Sequence, residues 1–250
     1  MKIALIGSGN VSAIIGRLAV IKGHTIINVA SRNIEHAEKL ASEFKCGFTT
    51  IENSGKTAAD IIIISVVDSA IEETIKKAAP FSGVVVHTAG AFSINVFNGV
   101  AENSGVLYPL QSLRKNMDQI PDIPFLIDGS NDYAINFIRE FAETLSPWVK
   151  QTNDDERAEL HAAAVIVSNF TNHLYTLAED FCKNENLDFS LLKPLIIETA
   201  TRIINHSPSE LQTGPAVRKD ISTLEKHLRI FSKYPKLRTT YMRLTDSIMN

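Results

Sequence analysis

The segment Gly7-Ser8-Gly9-Asn10-Val11-Ser12 is the first in the chain whose residue types and spacing can do chemistry. It follows an apolar run, Lys2 to Ile6, and opens a helical stretch, Asn10 to Lys22. Gly7 permits a tight turn, and Gly9 lets backbone approach a diphosphate. The helix N-terminus then offers N–H donors and the positive end of its dipole. Against the G-x-G-x-x-G pattern, the third glycine is replaced by Ser12, also a small residue. A strand before and a helix after make Gly7, Ser8, Gly9, Asn10 and Val11 a candidate dinucleotide cradle. The plain alternative is an ordinary strand–helix turn.

The next β run, Thr25 to Ala30, ends in Ser31-Arg32-Asn33, with no acid where an NAD site carries one for the ribose 2′-hydroxyl. Ser31 can donate to a 2′-phosphate, and Arg32 can clamp it or stack over adenine. The expected cofactor is therefore NADP, held in part by Ser31, Arg32 and Asn33; the plain reading of Arg32 is a solvated residue at a helix start. In such folds the carboxyl ends of later strands also face the ligand. That places Val66 and Val67, then His87 and Thr88, at the crevice. Asp68 serves equally well as a helix N-cap.

These residues need a scaffold, and the pattern around them supplies one. Short Ile/Val-rich runs (Lys2–Ile6, Thr25–Ala30, Gly47–Thr50, Asp60–Val67, Gly83–His87) alternate with helical stretches Asn10–Lys22, Asn33–Phe44 and Ser69–Ala79. Continuous apolar strands between helices predict a doubly wound parallel α/β sheet covered on both faces. Gly105–Tyr108, Pro124–Ile127 and Pro147–Lys150 extend it, with Asp132–Leu145 as a helix. After Gln151 the β signal stops. Asp154–Asn184, Leu187–Asn205, Ala216–Phe231 and Leu237–Met249 read as helices, punctuated by Pro208, Gly214 and Pro235. We expect a Rossmann domain at 1–152 and an all-α domain at 153–250.

The arrangement resembles the reductases of the 6-phosphogluconate-dehydrogenase-like superfamily, which includes pyrroline-5-carboxylate reductase and ketopantoate reductase. More narrowly it is similar to a bacterial two-domain family whose Rossmann half precedes a helical domain of unassigned function. GSGNVS, SVVDSAI, HTAGAF, YPLQS, HAAAVIVSNF and TGPAVRKD carry the likeness, which spans essentially the whole chain. The resemblance implies an NADP-binding oxidoreductase acting at the domain interface, and a homodimer formed through the helical domain. Hydroxyacid dehydrogenases of the superfamily carry a Lys and an Asn one turn apart on the interdomain helix. Asn169 matches the Asn, and Val165 stands where the Lys would be.

The candidate chemistry is hydride transfer between NADPH and a small carbonyl or imine, assisted by a proton donor. His161 is the expected donor, one helical turn before Val165 and on a face with Ser168 and Asn172. Ser168 and Asn169 would bond the reacting group. The plain reading is that all three serve packing. His87 is a second donor candidate or a structural ring in a tight loop. Tyr108 and Gln111 would line the substrate pocket, or Tyr108 simply covers the sheet edge. Thr213-Gly214-Pro215 caps a helix starting at Pro215, which leaves Arg218 to anchor an anionic substrate or to pair with Asp220. The missing Lys favours a rival reading, a non-catalytic NADP-binding sensor or regulatory subunit.

Composition narrows the classes further. The 250 residues are 44% hydrophobic and 21% charged, with 25 Lys and Arg against 28 Asp and Glu, net −3. That balance gives no bulk attraction to nucleic acid, and the basic and aromatic residues of Lys226–Arg243 read as a solvated face or a subunit contact. No apolar run approaches the roughly 20 residues of a membrane span. Two isolated cysteines, Cys46 and Cys182, suggest neither a disulfide framework nor a zinc site and fit a cytoplasmic location. No HExxH or comparable spacing predicts a metal.

Overall fold

The computed structural model describes all residues, 1–250. Eight strands form one sheet: β1 Lys2–Ile6, β2 Thr25–Ala30, β3 Gly47–Thr49, β4 Ile61–Ile64, β5 Val84–His87, β6 Ser104–Pro109, β7 Phe125–Gly129 and β8 Val149–Gln151. Their order is β3-β2-β1-β4-β5-β6-β7-β8. Every neighbouring pair is parallel except β6–β7, which is antiparallel. That pair departs from the expected all-parallel sheet because residues 110–124 form no crossover helix between the two strands.

The helices of the first half are α1 Asn10–Ile21, α2 Ile34–Phe44, α3 Ile51–Ser54, α4 Ile71–Ala78, α5 Asp132–Leu145 and α6 Asp154–Ala164. Alternating strand side chains feed two cores. Ile3, Leu5, Ile61 and Ile63 pack with Ile14, Ile15, Ile138 and Phe141 on one face. Ala4, Ile6, Ile62 and Ile64 pack with Ile71, Ile75 and Phe97 on the other. Burial on both faces explains why β4 and β5 carry unbroken Ile and Val runs.

β1 lies between β2 and β4, so the chain winds outward in both directions from the crevice above these two strands. Gly7 sits at that switch point with φ +118°, and a Cβ there would stand 2.2 Å from the Ser65 carbonyl oxygen. Only glycine fits. β4 ends earlier than expected, and Ser65, Val66 and Val67 leave the ladder to enter the crevice instead.

The chain divides into two compact units, Met1–Ser168 and Asn169–Asn250. The first extends past the compositional shift at Thr152 because the first turn of α6 is tied to the segment after β5. Arg157, fully buried, donates from Nη2 to the Phe92 carbonyl at 2.7 Å and pairs with Asp154. Asp154 in turn accepts from Ser93 Oγ at 2.5 Å and Ile94 N at 3.2 Å.

The expected helix Asp154–Asn184 is interrupted by a π-helical stretch, Val165–Phe170, before α7 Thr171–Asn184. In the second unit follow α8 Lys193–Arg202, α9 Ile221–Ile230 and α10 Pro235–Met249. α9 starts later than expected: Thr213 lies outside any helix or turn, Pro215 lies in a turn, and Asp220 is the N-cap, accepting from Thr223 N at 3.1 Å and Thr223 Oγ1 at 2.7 Å. Phe181 meets Phe231 and Tyr234 edge-on, with centroids 5.3 and 5.2 Å apart. No helix is long and apolar enough to cross a membrane.

Candidate functional site

The glycine turn, the end of β2 and the ends of β4, β5 and β6 open onto one cavity of about 810 Å³. Every residue expected to touch the cofactor lines it: Gly7, Ser8, Gly9, Asn10 and Val11 from the turn; Ser31, Arg32 and Asn33 from the β2 end; Val66, Val67 and Thr88 from the β4 and β5 ends. A cavity of about 840 Å³ elsewhere is walled largely by Leu18, Ile21, Phe44, Ile120, Pro121 and Leu145. Its one close polar pair, Arg17 with Glu43, is already mutually satisfied, so it offers less chemistry.

At one end of the 810 Å³ cavity, Ser8 Oγ donates to Ser31 Oγ at 3.0 Å and ties the glycine turn to β2. A Cβ on Gly9 would meet nothing within 4 Å, so the backbone there is open to a ligand. Ser65 lines the cavity with its hydroxyl buried and without a partner. Asn33 is committed elsewhere, because its Oδ1 accepts from Glu35 N at 2.9 Å and His36 N at 3.2 Å and caps α2. His36 also lines the cavity, a residue that sequence reasoning passed over. Its signal was positional: four residues after Arg32, it stands one helical turn further along.

The other end is built from three distant segments. Tyr108 Oη lies 2.7 Å from His161 Nδ1, with the two rings edge to face at 5.7 Å. Gly90 makes the approach possible, since a Cβ there would stand 2.8 Å from His161 Nδ1 and 2.9 Å from Tyr108 Cζ. Burial, and then the negative charge of Asp68, push the Tyr108 phenol above its usual pKa and keep it protonated. Where Nδ1 carries no proton the phenol donates to it; where Nδ1 is protonated the ring donates to the phenol oxygen. Gly90 and Asp68 also line this cavity. Both stand at strand ends that the sequence placed facing the cofactor, Asp68 with an N-cap as its equal alternative and Gly90 in HTAG after β5.

The remaining expected residues lie elsewhere. His87 is fully buried and does not reach the cavity, so its place as a proton donor is corrected. Its ring stacks on Phe97 at 5.8 Å and meets Phe92 edge-on at 6.1 Å, and Nδ1 accepts from Ala89 N at 3.3 Å. Burial, then the Arg157 charge, depress its pKa to about 4 and leave it neutral. Ser168 and Asn169 do not line the cavity with His161. Both fall in the π-helical stretch, whose wider turn breaks the α-helical phase that would put Ser168 on a face with His161; Asn169 is expected only from the family match. Gln111 turns away to its own loop, donating to the Asp122 carbonyl at 3.1 Å and accepting from Ser112 N at 3.0 Å. Arg218 is exposed in the second unit, in the turn before α9.

The DUF2520 model, a domain of unknown function, matches residues 123–248. A model of coenzyme F420-dependent NADP oxidoreductases matches residues 2–89. The Bacteroides fragilis protein BF3122, provisionally described as an NADP oxidoreductase, is 36% identical, covering 99% of this chain and 97% of that one, with a TM-score of 0.93. Two more distant structures share the fold alone. The 1-pyrroline-5-carboxylate reductase of Streptococcus pyogenes is 14% identical at a TM-score of 0.67, covering 100% of this chain and 98% of that one. The Aspergillus terreus reductive aminase, solved with NADPH and ethyl-5-oxohexanoate, is 16% identical at 0.70, covering 98% and 94%. None of the curated proteins compared matches the chain. A glycine turn ahead of an acid-free strand end, the matched helical domain and the whole-chain likeness to BF3122 lead to one conclusion: the chain belongs to the family of NADP oxidoreductases that join a Rossmann half to a DUF2520 domain.

Proposed function

We propose that the protein transfers a hydride between NADPH and a small carbonyl or imine substrate in the cavity running from Ser31 to Gly90. The residues present fit the cofactor. Gly9 leaves backbone open at the turn, and Ser65 presents a buried hydroxyl without a partner. Ser31, Arg32 and His36 offer donors where no carboxylate stands to repel a 2′-phosphate. The chemistry supplied on binding is hydride transfer. Ser31 and Arg32 would hold the 2′-phosphate, and Val66, Val67 and Thr88 would line the path to the reacting end. There Tyr108 would give its proton to the emerging oxygen or nitrogen, and His161 would hold the phenol in place and restore the proton through Nδ1. The Tyr108–His161 bond beside Gly90 is the observation that carries this reading. In the second unit Arg218 is left for an anionic group, because Asp220 is engaged in capping α9.

The test is a substrate-dependent fall in NADPH absorbance across a panel of keto acids, ketones and cyclic imines. Tight NADPH binding without turnover on any of them would favour the rival reading, a non-catalytic sensor, for which Val165 in place of a Lys speaks.

The helical unit is the proposed dimer surface. Leu191, Leu195, Ile197 and Ile204 are exposed by 76, 60, 65 and 75%, far more apolar surface than a solitary domain leaves in water. Light scattering should give about twice the chain mass, and Leu191→Glu with Ile204→Glu should give the monomer; a monomeric wild-type protein overturns this. Cys46 and Cys182 are free thiols, which suits the cytoplasm we assign it to.

A further inference from the structure

The loop 110–124, between β6 and β7, reaches back over a hundred residues to the glycine turn, and all its tethers there converge on Lys115. The Lys115 N–H donates to Asn10 Oδ1 at 3.1 Å, and its carbonyl accepts from Arg17 Nη1. Its ammonium donates to the Ser8 carbonyl, in the peptide that joins Ser8 to Gly9. Ser8 and Asn10 both line the cavity. Arg17 is held by Glu43 through two bonds, Nε to Oε1 and Nη2 to Oε2 (3.0 Å for the second), so those two charges offset each other. Lys115 is exposed and forms no ion pair; its bond goes to a neutral carbonyl, while its charge also acts on the nearby Glu43, which Arg17 already holds. The charge balance of the cavity makes this lysine conspicuous. Its cationic or titratable donors, Arg32 and His36, lie at the β2 end, and Asp68 adds a negative charge at the other. Around the turn itself the only positive potential within the lining is the backbone at the start of α1.

Resting on the reading that this cavity takes a dinucleotide, we infer that Lys115 is a further cofactor-binding residue: its ammonium supplies the charge that holds the pyrophosphate at the glycine turn. The four-carbon stem lets Nζ exchange the Ser8 carbonyl for a phosphate oxygen without moving the loop, whose backbone stays fixed by Asn10 and Arg17. An ammonium exchanging a neutral acceptor for an anionic one gains a charge-assisted bond. The loop thus lies against the glycine turn just outside the cavity lining, brought there by the tertiary fold.

The test is titration of wild-type protein, Lys115→Met, Lys115→Arg and Arg32→Ala with NADPH, NADH and adenosine 2′-monophosphate, which has a 2′-phosphate but no pyrophosphate. Lys115→Met should weaken NADPH and NADH by the same factor, about tenfold, and leave adenosine 2′-monophosphate unchanged. Its dinucleotide affinity should also depend less on salt. Lys115→Arg should stay within about threefold of wild type. Arg32→Ala should show the opposite selectivity, losing NADPH and adenosine 2′-monophosphate but sparing NADH. Lys115→Met binding both dinucleotides normally overturns the inference alone. So does an equal loss on all three ligands, which would make Lys115 only a strap that shapes the turn. Wild-type protein binding neither dinucleotide removes the cofactor reading and this inference together.

Discussion

The two ends of the cavity are made in different ways. The cradle end comes from two short contiguous pieces, Gly7–Val11 and Ser31–Asn33. The Tyr108–His161 end needs three segments, from the β5 end, β6 and α6, meeting across a glycine. Local pieces can be read one motif at a time and give binding. The second kind of site exists only when the sheet and α6 are held in register, and it is where we propose the proton chemistry. Damage at one end should therefore change affinity, and damage at the other turnover.

The largest effect should follow Tyr108→Phe, which removes the phenolic proton and keeps the ring. Turnover on any substrate found should fall about 10²–10⁴-fold while NADPH affinity stays within about twofold. Gly90→Ala should act in the same direction, because its Cβ has no room beside His161 and Tyr108. Steady-state kinetics beside direct binding titrations decide this; equal losses in both quantities would erase the division between the ends.

Next in size is a pH effect from beneath the reaction end. His87 has a pKa of about 4 in the folded protein against an ordinary 6.5. A depressed pKa means the unfolded chain takes the proton first. The stability His87 contributes is therefore complete above pH 6.5 and is lost as pH falls towards 4, by roughly 3 kcal/mol. Denaturant melts across this range should show the slope, and His87→Leu should remove its share. An activity profile that follows the His87 titration would instead return this ring to the site.

Arg32→Asp should weaken NADPH binding about 10- to 100-fold and leave NADH nearly unchanged. Fluorescence titration with both cofactors measures the ratio, and parallel losses would remove the 2′-phosphate assignment. Smallest is Asn33→Ala. Asn33 lines the cavity, yet its carbonyl caps α2. The variant should lose about 1 kcal/mol of stability in denaturant melts with little change in NADPH affinity.

Much of the scaffold was legible because its signals are local. Ile61–Ile64 and Val84–Val86 are apolar throughout because both faces of their strands are covered, and the helix Asp132–Leu145 has the bounds its periodicity predicts. Other features carried no such signal. The antiparallel turn of β6 into β7 depends on what the intervening 15 residues do not form. The π-helical stretch shifts Ser168 and Asn169 out of the phase that three- and four-residue spacing implies. Whether the last strand residue of β5, His87, points into the core or the crevice is a matter of one residue in register, and Phe92 and Phe97 settle it by closing over the ring.

By itself, the sequence determined the strand–helix alternation, the glycine turn and the acid-free end of β2. Each follows from steric and charge requirements within a few consecutive residues. The tertiary structure alone decided that Tyr108 would meet His161, 53 residues away, that Gly90 would be the space between them, and that Lys115 would lie against Ser8. Those contacts depend on the order of strands in the sheet and on Arg157 and Asp154 fastening α6 beside it, and no local spacing encodes either.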